Sequence, residues 1–155
     1  MGSHKELMEL LVEKKEILSA YERVTDGMLG DSLDMVDVIL AGMEKRQGLI
    51  NETDFMDERI RLLCGSGEGR LSVIIKNQCD YTGLSKDEQE LFRAGQDILG
   101  ILCRIREKDR TLAVCMDKIR EKLQEKIRQT NTNTKFAGYL NRNETSKGVL
   151  YDKKR

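Results

Sequence analysis

The sequence predicts an all-α protein: an elongated antiparallel helical bundle or coiled coil of three to four helices with a very long last helix. Three observations carry that expectation. The 155 residues contain no proline, so nothing removes a backbone donor or clashes with a preceding helical turn. Charged residues make up 35% of the chain and aromatics 5%, with no tryptophan. The β-branched and aromatic runs of a sandwich are therefore missing. Finally, Leu91, Gly95, Ile98, Leu102, Ile105, Asp109, Leu112, Met116, Ile119, Leu123 and Lys126 recur at alternating steps of four and three. That is a heptad seam held over five repeats.

The first helix is expected from about Lys5 to Met28. Leu7, Leu11, Leu18, Tyr21, Thr25 and Met28 lie on one stripe, flanked by Leu10, Ile17 and Val24. Gly27 and Gly30 supply a stop by the left-handed conformation that closes helices. Asp31 or Ser32 is the expected cap of the second helix. Leu33, Val36, Leu40 and Met43 continue at helical spacing, and the seam resumes one position off as Leu49, Thr53, Met56, Ile60 and Leu63. Such a drift implies a change of supercoil or a kink near Gly48. The short link at Gly30 makes the two helices antiparallel neighbours. Gly65, Gly67 and Gly69 end the second helix by Cys64.

Residues 70–80 (RLSVIIKNQCD) read either as a strand or as helical turns. No partner strand exists, so helical turns are the expectation, broken at Thr82 and Gly83. Ser85 with Glu88 three residues on is a capping box, which opens the last helix. Its pattern extends to Gln129, about 67 Å at 1.5 Å per residue. The first helix is half as long, so part of the last one projects or pairs elsewhere.

The domain organisation follows. Residues 1–4 resemble a tag scar. Residues 5–129 form the helical domain. Residues 130–155 read as a flexible tail, because TNTNT lacks periodicity. Six basic residues (Lys135, Arg142, Lys147, Lys153, Lys154, Arg155) face two acidic ones (Glu144, Asp152) there, a net +4. The tail still carries Phe136, Tyr139, Leu140, Val149, Leu150 and Tyr151, and apolar islands of that kind usually touch something.

Composition excludes several function classes. The chain balances 27 basic against 27 acidic residues, so no global field favours nucleic acid or an anionic membrane. The C-terminal Lys153-Lys154-Arg155 is too short and too poor in aromatic neighbours to change that. No apolar run reaches ~18 residues, so no membrane span is expected. Met1 to Lys15 lacks the apolar core of a signal peptide. The cysteines at 64, 79, 103 and 115 match no zinc or redox spacing and read as reduced cytosolic thiols.

No enzyme chemistry is expected. The one histidine, His4, sits in the scar, so neither Cys103 nor Cys115 has a base to activate it. Metal ligands are absent for the same reason, and no cofactor is implied. The Gly65-Ser66-Gly67-Glu68-Gly69 loop has an acid where a phosphate would sit and no following lysine, so it reads as a connector. Asp109 alone places a charge in the seam. A lone polar seam residue fixes register or marks an exposed stretch.

The remaining signal is interaction surface. Leu112, Met116, Ile119, Leu123 and Ile127 form an apolar stripe where the shorter helices end. An uncovered stripe of that size is normally a partner site. The second helix or a second copy of the chain is the other candidate cover, so a homo-oligomer stays open.

The segment LDMVDVILAGMEKRQGLINETDFMDERIRLL, with Lys45, Leu49 and Ile50 as its central charge and paired aliphatics, resembles the FlgN-type flagellar export chaperones. So do the long helix LGILCRIREKDRTLAVCMDKIREKLQEKIRQ and the ending Tyr151-Asp152-Lys153-Lys154. FliT-type flagellar chaperones share much of this pattern. The glycine-rich break at 65–69 and the aliphatic stretch after it depart from the family pattern. The resemblance implies a cytoplasmic, non-catalytic chaperone of flagellar type III export. Its partners would be hook-associated proteins of the hook–filament junction and the export apparatus. It would cover a terminal amphipathic segment of the client and prevent premature assembly. The family's C-terminal substrate region maps onto Leu112, Met116, Ile119, Leu123, Ile127, Phe136, Tyr139 and Leu140. The alternative is a non-catalytic coiled-coil adaptor or structural homodimer.

Overall fold

The computed structural model describes residues 2–65 and 69–148. Four α-helices account for nearly all of them: α1 (Gly2–Met28), α2 (Met35–Cys64), the short α3 (Arg70–Ile75) and α4 (Lys86–Gly148). One 3-10 turn, Tyr81–Gly83, precedes α4. There is no strand among the described residues, so the 70–80 segment is helical. Its helix stops at Ile75, and Asn77, two residues on, takes a left-handed φ of 58°.

α1 is the centre of the fold, because both long helices pack on it. It runs antiparallel to α2, as shown by Lys14 Nζ at 2.5 Å from Asp57 and by Met28 packing in one cluster with Ile39. It runs parallel to α4 at a constant offset. Lys15 reaches Asp97 at 3.1 Å, and Glu22 is bound by Arg104 at 2.9 Å. Leu7, Leu10, Leu11 and Leu18 of α1 are buried against Met56, Ile60, Ile74, Leu91, Ile98, Ile101 and Ile105. Each such side chain contributes roughly 1.5–3 kcal/mol when fully removed from water. A second cluster at the other end joins Met28, Ile39, Leu112 and Ile119.

A polar layer separates these clusters. The Arg46 guanidinium lies 4.5 Å from the Tyr21 ring centroid, and its Nη1 stands 3.2 Å from Asp109 Oδ1. Arg46 thus ties α1, α2 and α4 together at one level. This accounts for the charge in the apolar seam: Asp109 meets a partly buried arginine across the helices.

Helix ends depart from the sequence reading in two places. α1 stops at Met28, and the one described glycine with positive φ is Gly65, at the end of α2. Neither Gly27 nor Gly30 uses the left-handed conformation. The cap position of α2 is Asp34, not Asp31 or Ser32, and no side chain closes its first turn. The Ser32 hydroxyl is instead hydrogen-bonded to the Asp34 carboxylate. α2 continues through Gly48 without a break.

The start of α4 matches the capping box. The Ser85 amide donates to Glu88 at 3.0 Å, and the Glu88 amide donates to the Ser85 hydroxyl at 3.3 Å. Arg70 of α3 adds two hydrogen bonds to the same carboxylate, at 2.6 and 2.9 Å. The Arg70 guanidinium, followed by the Ser85 amide, lowers the Glu88 pKa to about 2. α3 is thereby fastened to the first turn of α4. Gly95 completes this attachment, because a Cβ there would lie 2.0 Å from the carbonyl oxygen of Ile75.

The largest departure is at the C-terminal end. The reading of 130–155 as a flexible tail is corrected over 130–148, which continue α4 to 63 residues, about 95 Å. The physical reason is cooperativity. Thr and Asn lower helix propensity without stopping a helix, and each residue added to an existing helix needs no new nucleus. The last cross-helix anchor among the described residues is Lys122, which donates to the carbonyl of Asp31 at 2.7 Å. Leu123 still faces α2, and residues 124–148 project about 38 Å beyond the other helices. Val149, Leu150, Tyr151 and the basic end Lys153–Arg155 lie outside the described residues, as do Ser66, Gly67 and Glu68.

Candidate partner-binding cleft

α2 and α4 both pack on α1 and meet one another only sparsely. A cleft therefore runs between them. At one end it encloses about 640 Å³. Its floor is Leu11, Ile60 and Ile98, all buried. Its α4 wall is Gly95, Leu99 and Leu102, with Leu99 and Leu102 about 40% exposed. Its α2 wall is Asp57, Arg61 and Cys64, and α3 closes the end through Ser72, Ile75 and Lys76. Burial pushes the Cys64 thiol above its ordinary pKa, with the Lys76 charge opposing the shift. Cys64 packs against the larger core cluster.

Further along α2 and α4 lies a second, separate compartment of about 200 Å³. Val36, Ile39, Leu40 and Met43 of α2 face Met116, Ile119, Arg120 and Leu123 of α4 there. Leu40, Met43 and Leu123 are exposed. The Arg46–Asp109 pair lies between the two compartments. Asp109 Oδ1 is buried and accepts no hydrogen bond from the described residues, although the Arg46 charge stands beside it.

The structure divides the sequence-predicted site in three. Leu112 and Ile119 are buried in the second core cluster with Met116 half-buried against it. The α1–α2 turn region, through Met28, Leu29, Leu33 and Val36, covers them. Leu123 and Ile127 remain exposed on the cleft side. Phe136, Tyr139 and Leu140 are exposed too, but on another face. Phe136 is thirteen residues past Leu123, and Leu140 thirteen past Ile127. Thirteen residues turn an α-helix by about 220°. One partner helix lying straight along α4 meets either the first pair or the last three, not both.

The cleft also includes residues the sequence reading did not single out. Leu99 flanks the seam, three residues before Leu102. Leu40 and Met43 have the spacing of core residues and are expected to be buried. They are exposed because α4 leaves the line of α2 open on that side. The one signal for this was the drift of the α2 seam, which marks where its apolar face rotates away from α1.

No helix among the described residues is long and apolar enough to cross a membrane. Comparison of the chain with protein-family models, with curated proteins and with solved structures finds no match.

Proposed function

We propose that this chain is a non-catalytic helix-binding protein, a flagellar type III export chaperone of the FlgN type. It holds a terminal amphipathic segment of a hook–filament junction protein in the α2–α4 cleft until export. The observation that supports this reading is the cleft itself. Three helices leave one seam open, and exposed Leu40, Met43, Leu99, Leu102 and Leu123 line it. A fourth helix laid there completes an antiparallel four-helix bundle by helix-in-groove packing, with anchors at i, i+3, i+4 and i+7. Methionine at its rim accommodates related clients. The client segment, held this way, is kept from pairing with its own kind.

The test is direct binding. Fluorescence anisotropy with labelled terminal segments of hook-associated proteins should give a Kd in the micromolar range or tighter. No binding by any of these segments overturns the reading.

The projecting end of α4 favours a second reading, a coiled-coil adaptor or homodimer. Ile127, Phe136, Tyr139 and Leu140 are exposed on a stretch of helix that no other described element covers. A stable dimer by sedimentation equilibrium, lost on removal of 124–155, would carry that alternative.

A further inference from the structure

The projecting end of α4 and the outer face of α1 carry opposite charge. In sequence, residues 124–148 hold five basic residues (Lys126, Arg128, Lys135, Arg142 and Lys147) against two acidic ones (Glu125 and Glu144). Phe136, Tyr139 and Leu140 lie there at i, i+3 and i+4 and are exposed. Lys135 precedes Tyr139 by four residues, and Lys126 precedes Leu140 by two heptads, so a lysine flanks that apolar face on each side. On α1, Glu9, Glu13 and Glu16 recur at i, i+4 and i+7, and like charges at such spacings repel. Glu13 and Glu16 rim a groove of about 780 Å³ between α1 and α2, with Glu52 on the α2 side and Ile17, Leu49 and Phe55 among its apolar walls. No lysine or arginine lines it among the described residues. Arg59 lies over the Phe55 ring, 5.9 Å from its centroid. Glu9 and Glu13 continue the acidic rim toward Asp87 and Glu90 at the start of α4, with Lys5 beside them. Glu22, Asp26, Asp57 and Asp97 are each paired with a lysine or arginine of a neighbouring helix, and none of the rim acids is so paired among the described residues.

We propose that the chain forms an antiparallel homodimer in which the projecting end of α4 of each copy lies in the acidic α1–α2 groove of the other. This sharpens the homodimer reading and rests on it. The groove shares no lining residue with the α2–α4 cleft, so a helix docked there covers none of the cleft's walls. Charge, reach and length select a second copy as the occupant. Two projecting ends, each with an excess of base, repel one another and so do not pair together. A chain's own groove is out of reach. Lys15 meets Asp97, so Glu16 stands about 39 Å behind residue 124 along α4, and α4 runs on away from it as one helix to Gly148. The projecting end measures about 38 Å, and the 27 residues of α1 span about 40 Å. An antiparallel pair therefore lays each end along the partner's α1, twice in one closed twofold dimer. Phe136, Tyr139 and Leu140 pack there as a ridge on Ile17, Leu49 and Phe55, and Lys126 and Lys135 face Glu13, Glu16 and Glu52. The ends are free in the dilute monomer, so Leu140→Ser acts on dimer dissociation and not on unfolding of the monomer.

The test is a charge swap in the full chain. Glu13→Lys, Glu16→Lys and Glu52→Lys together reverse the groove, and Lys126→Glu with Lys135→Glu reverses the projecting end. All five positions are exposed, and circular dichroism checks that both variants fold. Sedimentation equilibrium of the wild type should show a dimer that weakens as salt is added. Each reversed variant alone should dissociate at least about tenfold more readily, because like charges then meet at both contacts. Their equimolar mixture should recover wild-type affinity, since the heterodimer sets opposite charges against each other at both contacts. A wild type that stays monomeric overturns the homodimer reading and this arrangement with it. A dimer that the groove variant leaves intact overturns the arrangement alone and places the contact elsewhere. Weakened variants that the mixture fails to rescue also overturn it.

Discussion

Residues 112–119 and residues 123–140 belong to one helix and, in sequence, to one partner-facing surface. In the structure they do opposite work. Leu112 and Ile119 are core, each about 5% exposed, and hold the α1–α2 turn against α4. Ile127, Phe136 and Tyr139 are each more than half exposed. The difference teaches what periodicity encodes. A heptad seam says which side of a helix is apolar. It does not say how far the neighbouring helices extend along it.

Core substitutions should expose that contrast most strongly. Leu112→Ala empties a site in the smaller cluster and should cost about 2–5 kcal/mol in urea unfolding. Leu140→Ser, on the projecting end of the same helix, should stay within about 0.5 kcal/mol of wild type. Equal effects would mean that the end of α4 is packed against something in solution. Gly95→Ala should come next, with a loss of about 1–3 kcal/mol by overpacking. The new Cβ must push the end of α3 away, because it meets a backbone carbonyl and not a flexible side chain. A neutral Gly95→Ala would show that α3 is not seated on α4.

The polar layer allows a finer test of how the two clusters are joined. A double-mutant cycle on Arg46→Met and Asp109→Asn should return a coupling of about 0.5–3 kcal/mol, as for residues sharing one network. Additive effects would mean that Tyr21 alone positions Arg46.

The smallest expected effect is on pH dependence. Hydrogen bonds from Arg104 and then Lys108 lower the Glu22 pKa from 4.5 to about 2. A depressed carboxylate contributes stability that is present above its unfolded pKa and lost as pH falls through its folded one. Stability should therefore decline between pH ~4.5 and ~2, and Glu22→Gln should flatten that decline. An unchanged slope would place the acid sensitivity at Glu88, whose pKa is lowered to the same extent.

Much of the fold was legible because it depends on local chemistry. The Ser85–Glu88 box, the apolar stripe of α1 and the helix stop at Cys64 are each written in a few adjacent residues. Asp109 was legible as an anomaly, but its partner was not. Arg46 belongs to a different helix, distant in the chain, and only packing brings the two together. The tail was misread for a related reason. Thr130 to Thr134 has the composition of a linker, yet it follows an established helix and contains no proline or glycine to stop it. The cleft was the least legible feature. It arises where α2 and α4 fail to meet, and the absence of a contact leaves no mark on either helix alone. Leu40 and Met43 thus have the spacing of core residues and are nevertheless exposed.

The most direct measurement is a methyl spectrum of leucine-labelled protein titrated with a terminal segment of a hook-associated protein. The cleft account predicts shifts at Leu40, Leu99, Leu102 and Leu123, with Leu140 unmoved. Shifts at Leu140 with the four cleft leucines unchanged would contradict it and place the partner on the far face of the projecting helix.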